Sequence, residues 1–559
     1  MKWNRSKRPI ILVVALLMSA AAFVGFNRDD KNFDLAKNLD IYYTLFRELN
    51  LLYVDEVQPE KLVKTSIDKM LESLDPYTTY IPESEIEDFK FMTTGDYAGI
   101  GALISKFKDD VVIAQPYEGA PAQKAGLRAG DIFLSIDGKS TTDMDTQDVS
   151  NLLKGQAGKS LEVKVRRPGI DKDKEMKFTI VREKIHIPAV PYFGMLNDKT
   201  GYIRFTNFTK DCSEDVKKAI LELKEGKGAK NIVLDLRGNP GGLLWEAVRV
   251  SNLFVPKDQE IVSTRGKVKQ WDKTYTAPAL PVDTIIPIAV LVNSGSASAS
   301  EIVAGSIQDL DRGVVIGTRT FGKGLVQTTR DLSYNAKLKV TTAKYYIPSG
   351  RCIQALDYSH RNDDGSVGKV ADSLITEYST HNGRKVFDGG GIAPDIEVKP
   401  EPLSNLTINL ITKQMFFDFA TRFANSHKTI ASPTEFEVTD AIYAEFKQFL
   451  KKEKFTYKSR SEQLLKDLKK AAEKEKYYDM SKEQFEILAS KLGTDIDKDC
   501  KQFEKEIKEM LTDEIIRRYY YRVGAIKAAI KDDKVIKEAV IVLNDKARYK
   551  SILKPKTEK

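Results

Sequence analysis

The sequence predicts a multidomain chain of mixed α+β and α/β class: an N-terminal helical region, a domain of short strands, an α/β core and a helical C-terminal extension. Three observations predict it. Apolar residues recur at spacings of three and four after residue 31 and again from Leu406 onward. Short apolar runs broken by Gly and Asp turns fill residues 95 to 185. Between Val190 and residue 400, strand-length apolar runs alternate with helical spacing, the pattern of an α/β fold. At 559 residues the chain has room for three or four domains, each with ample core.

Residues 2 to 8 carry Lys2, Arg5, Lys7 and Arg8, and Pro9 to Phe26 is an uncharged, mostly apolar run of eighteen residues. Residues 1–27 therefore read as a secretory leader or a single membrane anchor. The run is just long enough to span, which favours the anchor, while Ser19-Ala20-Ala21-Ala22 offers small residues for cleavage. Either way the basic flank stays cytoplasmic and the rest is exported, to the periplasm or another extracytoplasmic space.

Residues 31–93 read as a helical domain, with Leu35, Leu39, Tyr42, Tyr43 and Phe46 on one face and a second run from Leu62 to Leu74. In residues 95–185, Gly99-Ile100-Gly101-Ala102-Leu103-Ile104 opens a strand, Asp109-Asp110 turns, and Val111 to Ala114 returns. Then follow Gly126-Leu127, Gly130-Asp131, the strand Ile132 to Ile136, Asp137-Gly138, a helix near Val149 to Leu153, and strands from Leu161 and Met176. This set resembles a PDZ domain. The resemblance implies capture of an extended C-terminus by strand addition, with the backbone N–H groups of Gly99, Ile100, Gly101 and Ala102 holding the terminal carboxylate.

The core, residues 188–400, contains strands at Gly201 to Phe205 and Asn231 to Leu236, and helices at Glu214 to Leu223 and Leu243 to Leu253. Asp357 to Ser379 is polar and reads as a surface insertion, and residues 403–559 as an amphipathic helix bundle, with Leu464, Leu465, Leu468, Ala471 and Ala472 on one face. Substrate gating, dimerisation and adaptor binding all fit that extension.

The chemistry concentrates between Ile285 and Gln327. A strand-length apolar run, Ile285 to Val292, leads into Asn293-Ser294-Gly295-Ser296-Ala297-Ser298-Ala299-Ser300-Glu301, after which Ile302, Val303 and Ile307 follow helical spacing. Strand, tight turn and helix place a Ser hydroxyl at a helix N-terminus, where unpaired N–H groups stabilise an oxyanion. A second strand, Gly313 to Gly317, leads into Thr318-Arg319-Thr320-Phe321-Gly322-Lys323-Gly324. None of the four histidines, His186, His360, His381 and His427, sits in a Gly-rich strand-end context. A Ser-Lys arrangement therefore fits better than a Ser-His one. A lysine base must be desolvated to lose its proton near neutrality, and Phe321, Leu325 and Val326 are the apolar candidates for that. Gly317-x-x-x-x-Gly322-Lys323 also nearly matches a phosphate-binding P-loop. That loop needs Ser or Thr after its lysine and then a helix, whereas Gly324 and a strand-like Leu325 to Thr329 follow here.

The Ser-Ala-Ser-Ala-Ser-Glu-Ile and Phe-Gly-Lys-Gly-x-Val-Gln stretches, with Lys323 twenty-five positions after Ser298, resemble the carboxyl-terminal processing, or tail-specific, proteases. So do Leu234 to Gly242, Ser73 to Tyr77 and Gly391 to Asp395. The resemblance implies Ser298 as nucleophile, Lys323 as general base and Gln327 as the residue orienting the lysine. With the fold, it places Ala299 and one of Gly241 and Gly242 in the oxyanion hole. The implied protein is an exported, membrane-anchored serine endopeptidase whose substrates carry free, apolar C-termini. The N-terminal helices serve either a homodimer contact, as in proteins the chain resembles, or intramolecular packing. The competing class is a non-catalytic, membrane-anchored PDZ scaffold. The net charge of +8 is spread among interspersed Lys and Glu and does not point to nucleic acid. Cys212, Cys352 and Cys500 have neither metal nor disulfide spacing, and neither a metal nor a cofactor is expected.

Overall fold

The computed structural model describes residues 32–168 and 175–555, which fall into two compact units, Met1–Tyr80 and Ile81–Lys559. The predicted leader or anchor lies outside the described residues. Among those described, no helix is long and apolar enough to cross a membrane.

In the first unit, residues 32–52 are helical and a second helix covers Pro59–Glu72, started by Pro59 where its missing N–H costs nothing. The hydroxyl of Tyr42 meets that of Ser66 across the two helices at 2.5 Å. Asp75 accepts the N–H groups of Tyr77 and Thr78, which fixes the turn around Pro76.

In the second unit, the domain of short strands is an antiparallel sheet of Ala102–Phe107, Asp110–Pro116, Ile132–Ile136, Ser160–Arg166 and Glu175–Val181. It packs on the helix Thr146–Leu153 through Val149 and Leu153. The buried Asp131 carboxylate is held by Arg167, which also donates to the Gly126 carbonyl.

The α/β core is a six-stranded sheet in the order Tyr192–Met195, Thr200–Arg204, Asn231–Asp235, Ile288–Val292, Val314–Gly317 and Ile396–Glu397, parallel after its first pair. Its central strands are buried on both faces, which is why they read as unbroken apolar runs. Ile232, Leu234, Val290 and Val292 face the helices Cys212–Leu221, Leu244–Asn252 and Ala299–Asp309. Val233, Ala289, Leu291, Val314 and Ile316 face Ile536, Ala539, Val542 and Leu543 of the helix Lys534–Asn544. The second layer of the sheet thus comes from the segment that the sequence groups with the C-terminal extension. A second sheet contains Glu260–Gly266, Lys273–Thr276, Leu325–Asp331 and Lys337–Tyr346.

The extension has its own aromatic core of Phe416, Phe419, Phe423, Phe446, Phe449 and Phe455, assembled from the helices Met415–Ser426 and Asp440–Lys452 and the turn beyond. The helix Arg460–Lys474, whose Leu464 and Leu468 suggest a core-facing stripe, buries no residue, and Leu464 is 57% exposed. It packs on the neighbouring helix Tyr478–Leu492, which buries none either.

Candidate active site

Four serines lie between Ile288–Val292 and the first turn of Ala299–Asp309, and the structure separates them: Ser294 is exposed two residues before the turn tightens at Ser296. Ser296 is fully buried, its hydroxyl donating to the Leu236 carbonyl at 2.8 Å and accepting the Asn293 N–H at 3.0 Å. Ser300 is equally buried and donates to the Asn239 carbonyl at 2.9 Å. Ser298, partly exposed, caps the helix with φ 55° and ψ −114°. A non-glycine residue in that region is strained and persists only where its surroundings over-determine it. Here the surroundings are visible. The Ser298 N–H donates to Glu301 at 2.9 Å, and the Glu301 and Ile302 N–H groups both donate to the Ser298 carbonyl.

Lys323 lies on the loop between Val314–Gly317 and Leu325–Asp331. A strand follows it, so the helix required by a phosphate-binding loop is absent there. Gly322 has φ +86°, and a side chain there would stand 2.4 Å from the Ala355 methyl group, so the chain can turn this tightly before the lysine only with glycine. Of the predicted apolar neighbours, Leu325 is buried and Val326 packs on the core. Phe321 does not follow the prediction: it is 49% exposed, because its N–H is fixed to the Ser296 carbonyl and its ring is left at the rim. Gln327 sits just past a bulge in the strand, its amide donating to the Thr341 hydroxyl at 3.1 Å.

Two buried side chains tie the Ser298 turn to the Lys323 loop. Glu301 is fully buried and accepts four hydrogen bonds: from the N–H groups of Ser298 (2.9 Å), Lys323 (2.8 Å) and Gly322 (2.7 Å), and from the Thr320 hydroxyl (2.5 Å). Burial pushes its carboxyl up to about 7, against the pull of those four donors toward the ionised form. The Tyr345 hydroxyl stands between the carbonyl oxygens of Ser298, at 3.2 Å, and Lys323. Neither residue has a role assigned from the sequence, although Glu301 stands three residues after Ser298, the spacing of a capping box.

The glycine loop after Asn231–Asp235 backs onto the same turn. Gly241, with φ +98°, lies so close that a side chain there would stand 2.7 Å from the Ala297 carbonyl and 2.9 Å from the Ser298 Cβ. Its own N–H donates to the Asn239 side chain at 2.9 Å. Asn239 in turn donates to the Phe205 carbonyl, and its backbone carbonyl accepts from Ala297 and Ser300. Among the described residues, the N–H groups of Gly242 and Ala299 donate to no other group of the chain.

The histidines lie elsewhere. His360, Asp357 and Ser359 are within hydrogen-bonding distance of one another, but His360 is 85% exposed and meets both partners through Nδ1. A triad histidine uses both ring nitrogens, so this group cannot relay a proton. His186 pairs with Asp96, and His427 stacks on Phe423.

In the strand-rich domain, the predicted peptide-binding residues form a loop whose Ile100 and Gly101 carbonyls accept the N–H groups of Ala122 (2.7 Å) and Tyr117 (2.9 Å). Burial raises the Tyr97 phenol, while the nearby backbone N–H groups of Ala102 and Gly101 pull in the opposite direction.

Residues 199–361 match peptidase family S41, residues 112–167 match the PDZ domain, and residues 406–543 match the "probable PDZ-protease, C-terminal helical domain". The carboxy-terminal-processing protease of Bartonella bacilliformis is 37% identical over 350 residues, 62% of this chain and 79% of that one. A probable CtpA-like serine protease of Staphylococcus aureus is 36% identical over 346 residues, 62% of this chain and 67% of that one. Among solved structures, the photosystem II D1 C-terminal processing protease is 29% identical and aligns over 65% of this chain and 88% of that one, with a TM-score of 0.35. With 79% of a 37% identical relative covered, the chain belongs to the carboxy-terminal-processing proteases of peptidase family S41, serine-type peptidases, and carries a PDZ domain and a helical C-terminal domain.

Proposed function

We propose that this protein is an exported serine endopeptidase that recognises protein C-termini through its PDZ domain and cleaves with Ser298 as nucleophile and Lys323 as general base. The observation that carries the reading is the double link of Glu301 and Tyr345, which fixes the backbones of Ser298 and Lys323 to each other while Ser296 and Ser300 are buried and engaged. Nucleophile and base on different elements need such a link, because small displacements from attack geometry cost large factors in rate.

In this mechanism Lys323 takes the Ser298 proton as the hydroxyl attacks the scissile carbonyl, then returns a proton to the leaving amine. The developing oxyanion is received by the N–H groups of Ala299 and Gly242, since that of Gly241 is already given to Asn239. Gln327, on the following strand with its amide anchored to Thr341, is assigned to orient the lysine. Free and apolar substrate tails dock on the Gly99–Ala102 loop, and the tethered chain reaches the cleft at high effective concentration. Export, and an anchor in the cytoplasmic membrane, rest on the basic residues before Pro9 and the apolar run to Phe26. Pairing of two copies through the N-terminal helices rests on Leu35, Leu39 and Tyr43, all exposed within their own unit.

The test is peptidase activity on an unfolded substrate with an apolar free tail. Ser298→Ala and Lys323→Ala are each expected to remove at least about a thousandfold in kcat, and the double variant no more than either alone, because the pair acts as a unit. Activity rises with pH as the lysine loses its proton. Retained turnover in Ser298→Ala sinks the assignment, and an inactive wild type with normal tail binding leaves the non-catalytic scaffold.

A further inference from the structure

We propose that Asp533, at the start of the C-terminal helix Lys534–Asn544, is a positioning residue for the active site, acting through Arg237 on the Gly238–Gly242 loop. The inference rests on the assignment of that loop to the oxyanion hole.

Asp533 uses its two carboxylate oxygens separately. Oδ1 caps the helix, accepting the N–H groups of Val535 (2.9 Å) and Ile536 (3.0 Å). Oδ2 accepts from Arg237 Nη1 at 2.7 Å. The rest of the Arg237 guanidinium wraps Asp235, with Nε at 3.0 Å and Nη2 at 2.7 Å, and its backbone N–H donates to the same carboxylate. Arg204 and the Tyr202 hydroxyl complete the shell of Asp235, which is fully buried. Burial alone would raise the Asp235 carboxyl, yet Arg237 and Arg204 hold it below the ordinary range, so both partners stay charged and the bonds are of the strong, charge-assisted kind.

Arg237 is also the residue from which the glycine loop departs. Gly238 donates to the Asn293 side chain at 2.9 Å, which also receives Gly295 of the serine turn at 3.0 Å. A helix arriving almost 300 positions later in the chain therefore ends on the root of the loop whose N–H groups would receive the oxyanion. The rest of that helix lies on the sheet through Ile536, Ala539, Val542 and Leu543, so the contact is held from both sides. A transition-state donor works only if it is fixed before charge develops, and the third nitrogen of Arg237 would otherwise have no carboxylate to hold it.

The experiment uses the full-length protein and Asp533→Asn, which keeps a good helix cap but loses the charge that Arg237 meets. The expected result is a kcat lowered about tenfold with KM unchanged and Tm close to wild type, since the loss falls on the transition state. In an Arg237→Gln background the same substitution is expected to change kcat by less than about twofold, because the interaction it removes is already absent. Asp533→Ser, which caps but cannot reach Arg237, should reproduce the effect. A kcat within twofold of wild type in Asp533→Asn overturns the proposal, as does an equal loss in both backgrounds or a loss that tracks unfolded protein in both cap variants. Ser298→Ala, run in parallel, separates the two readings. If it stays active the catalytic assignment fails, whereas if it is dead and Asp533→Asn is normal only this inference fails.

Discussion

The two loops to which the proposed mechanism assigns an anion, the Gly238–Gly242 loop and the Gly99–Ala102 loop, are fastened in opposite ways. The Gly238–Gly242 loop and the Ser298 turn beside it are locked by side chains, all but Asn293 buried: Asn239, Asn293, Ser296, Ser300 and Glu301 hold backbone groups at 2.7 to 3.1 Å. The Gly99–Ala102 loop of the PDZ domain is fastened by backbone bonds to Tyr117 and Ala122, and its Gly101 and Ala102 N–H groups lie near the neutral Tyr97 hydroxyl. On the proposed mechanism the difference matches what each loop would stabilise. A charge that exists only in the transition state needs donors fixed in advance, with no reorganisation at the moment of reaction. A tail carboxylate is a ground-state ligand, and it can displace a weaker neutral acceptor on arrival.

The largest break in that contrast comes from Glu301. Glu301→Gln keeps the shape but puts an NH2 group where four donors converge, so at least one donor loses its acceptor and one of the two links between the Ser298 and Lys323 backbones is weakened. We expect kcat to fall about a hundredfold with KM little changed. The pH dependence carries a sign. The folded-state carboxyl, at about 7, lies above its ordinary 4.5, so the folded protein holds a proton that the unfolded chain has released between those values. Stability contributed by this group is full below about 4.5 and is lost as pH rises through about 7. Wild type should therefore lose stability relative to Glu301→Gln over that window in urea titrations. Activity should instead gain over it, as ionisation completes the link, and an activity limb near pH 7 that survives in Glu301→Gln would show that the carboxyl is not its source.

How much of this was legible in the sequence differs between the two loops for a physical reason. The Ser298 turn, the Lys323 loop and their flanking strands are marked by local periodicity and by glycines, and the structure has strands and helices at those places. What holds the two loops together was not legible, because Tyr345 comes from a strand far along the chain and Thr320 from the loop before Lys323, and they meet Ser298 and Glu301 only once the chain has folded. The same holds for the sheet's second layer. Strands buried on both faces announce that two layers exist, but nothing local to Val535–Leu543 says that it covers Val233 and Leu291. Conversely, the stripe on Arg460–Lys474 has the period of a core helix and reaches no core, since periodicity reports an apolar face and not what covers it.

A smaller effect should follow from stiffening the PDZ loop. Gly101 has φ +73°, and a side chain there would lie 2.4 Å from the Ala120 Cβ, so Gly101→Ala must displace the loop or the Ala120 turn. If the loop reads the tail and not the chemistry, KM for a free-tailed substrate rises about tenfold while kcat stays within twofold. Amidated substrate, already lacking the carboxylate, should be cleaved alike by both proteins. A fall in kcat for both substrates would mean that the PDZ domain builds the active site instead of feeding it.

The smallest effect should come from Tyr97, and it separates a loop that waits for its ligand from one that is merely strained. In the free protein the backbone N–H groups of Gly101 and Ala102 lie toward the Tyr97 hydroxyl, pulling against the burial that raises its phenol. A tail carboxylate must displace that hydroxyl, so the free state is stabilised by what binding removes. Tyr97→Phe keeps the ring, and with it the edge contact to Phe91 at 5.1 Å between centroids, but removes the hydroxyl near those N–H groups, which a tail would then meet without competition. One net hydrogen bond of about 1 kcal/mol corresponds to a KM for free-tailed substrate lowered about fivefold. The amidated substrate gains less, because a neutral acceptor replaces the hydroxyl with little net change. Should KM rise instead, the hydroxyl is itself a donor to the bound tail, and the PDZ loop is then as fully built in advance as the one beside Ser298.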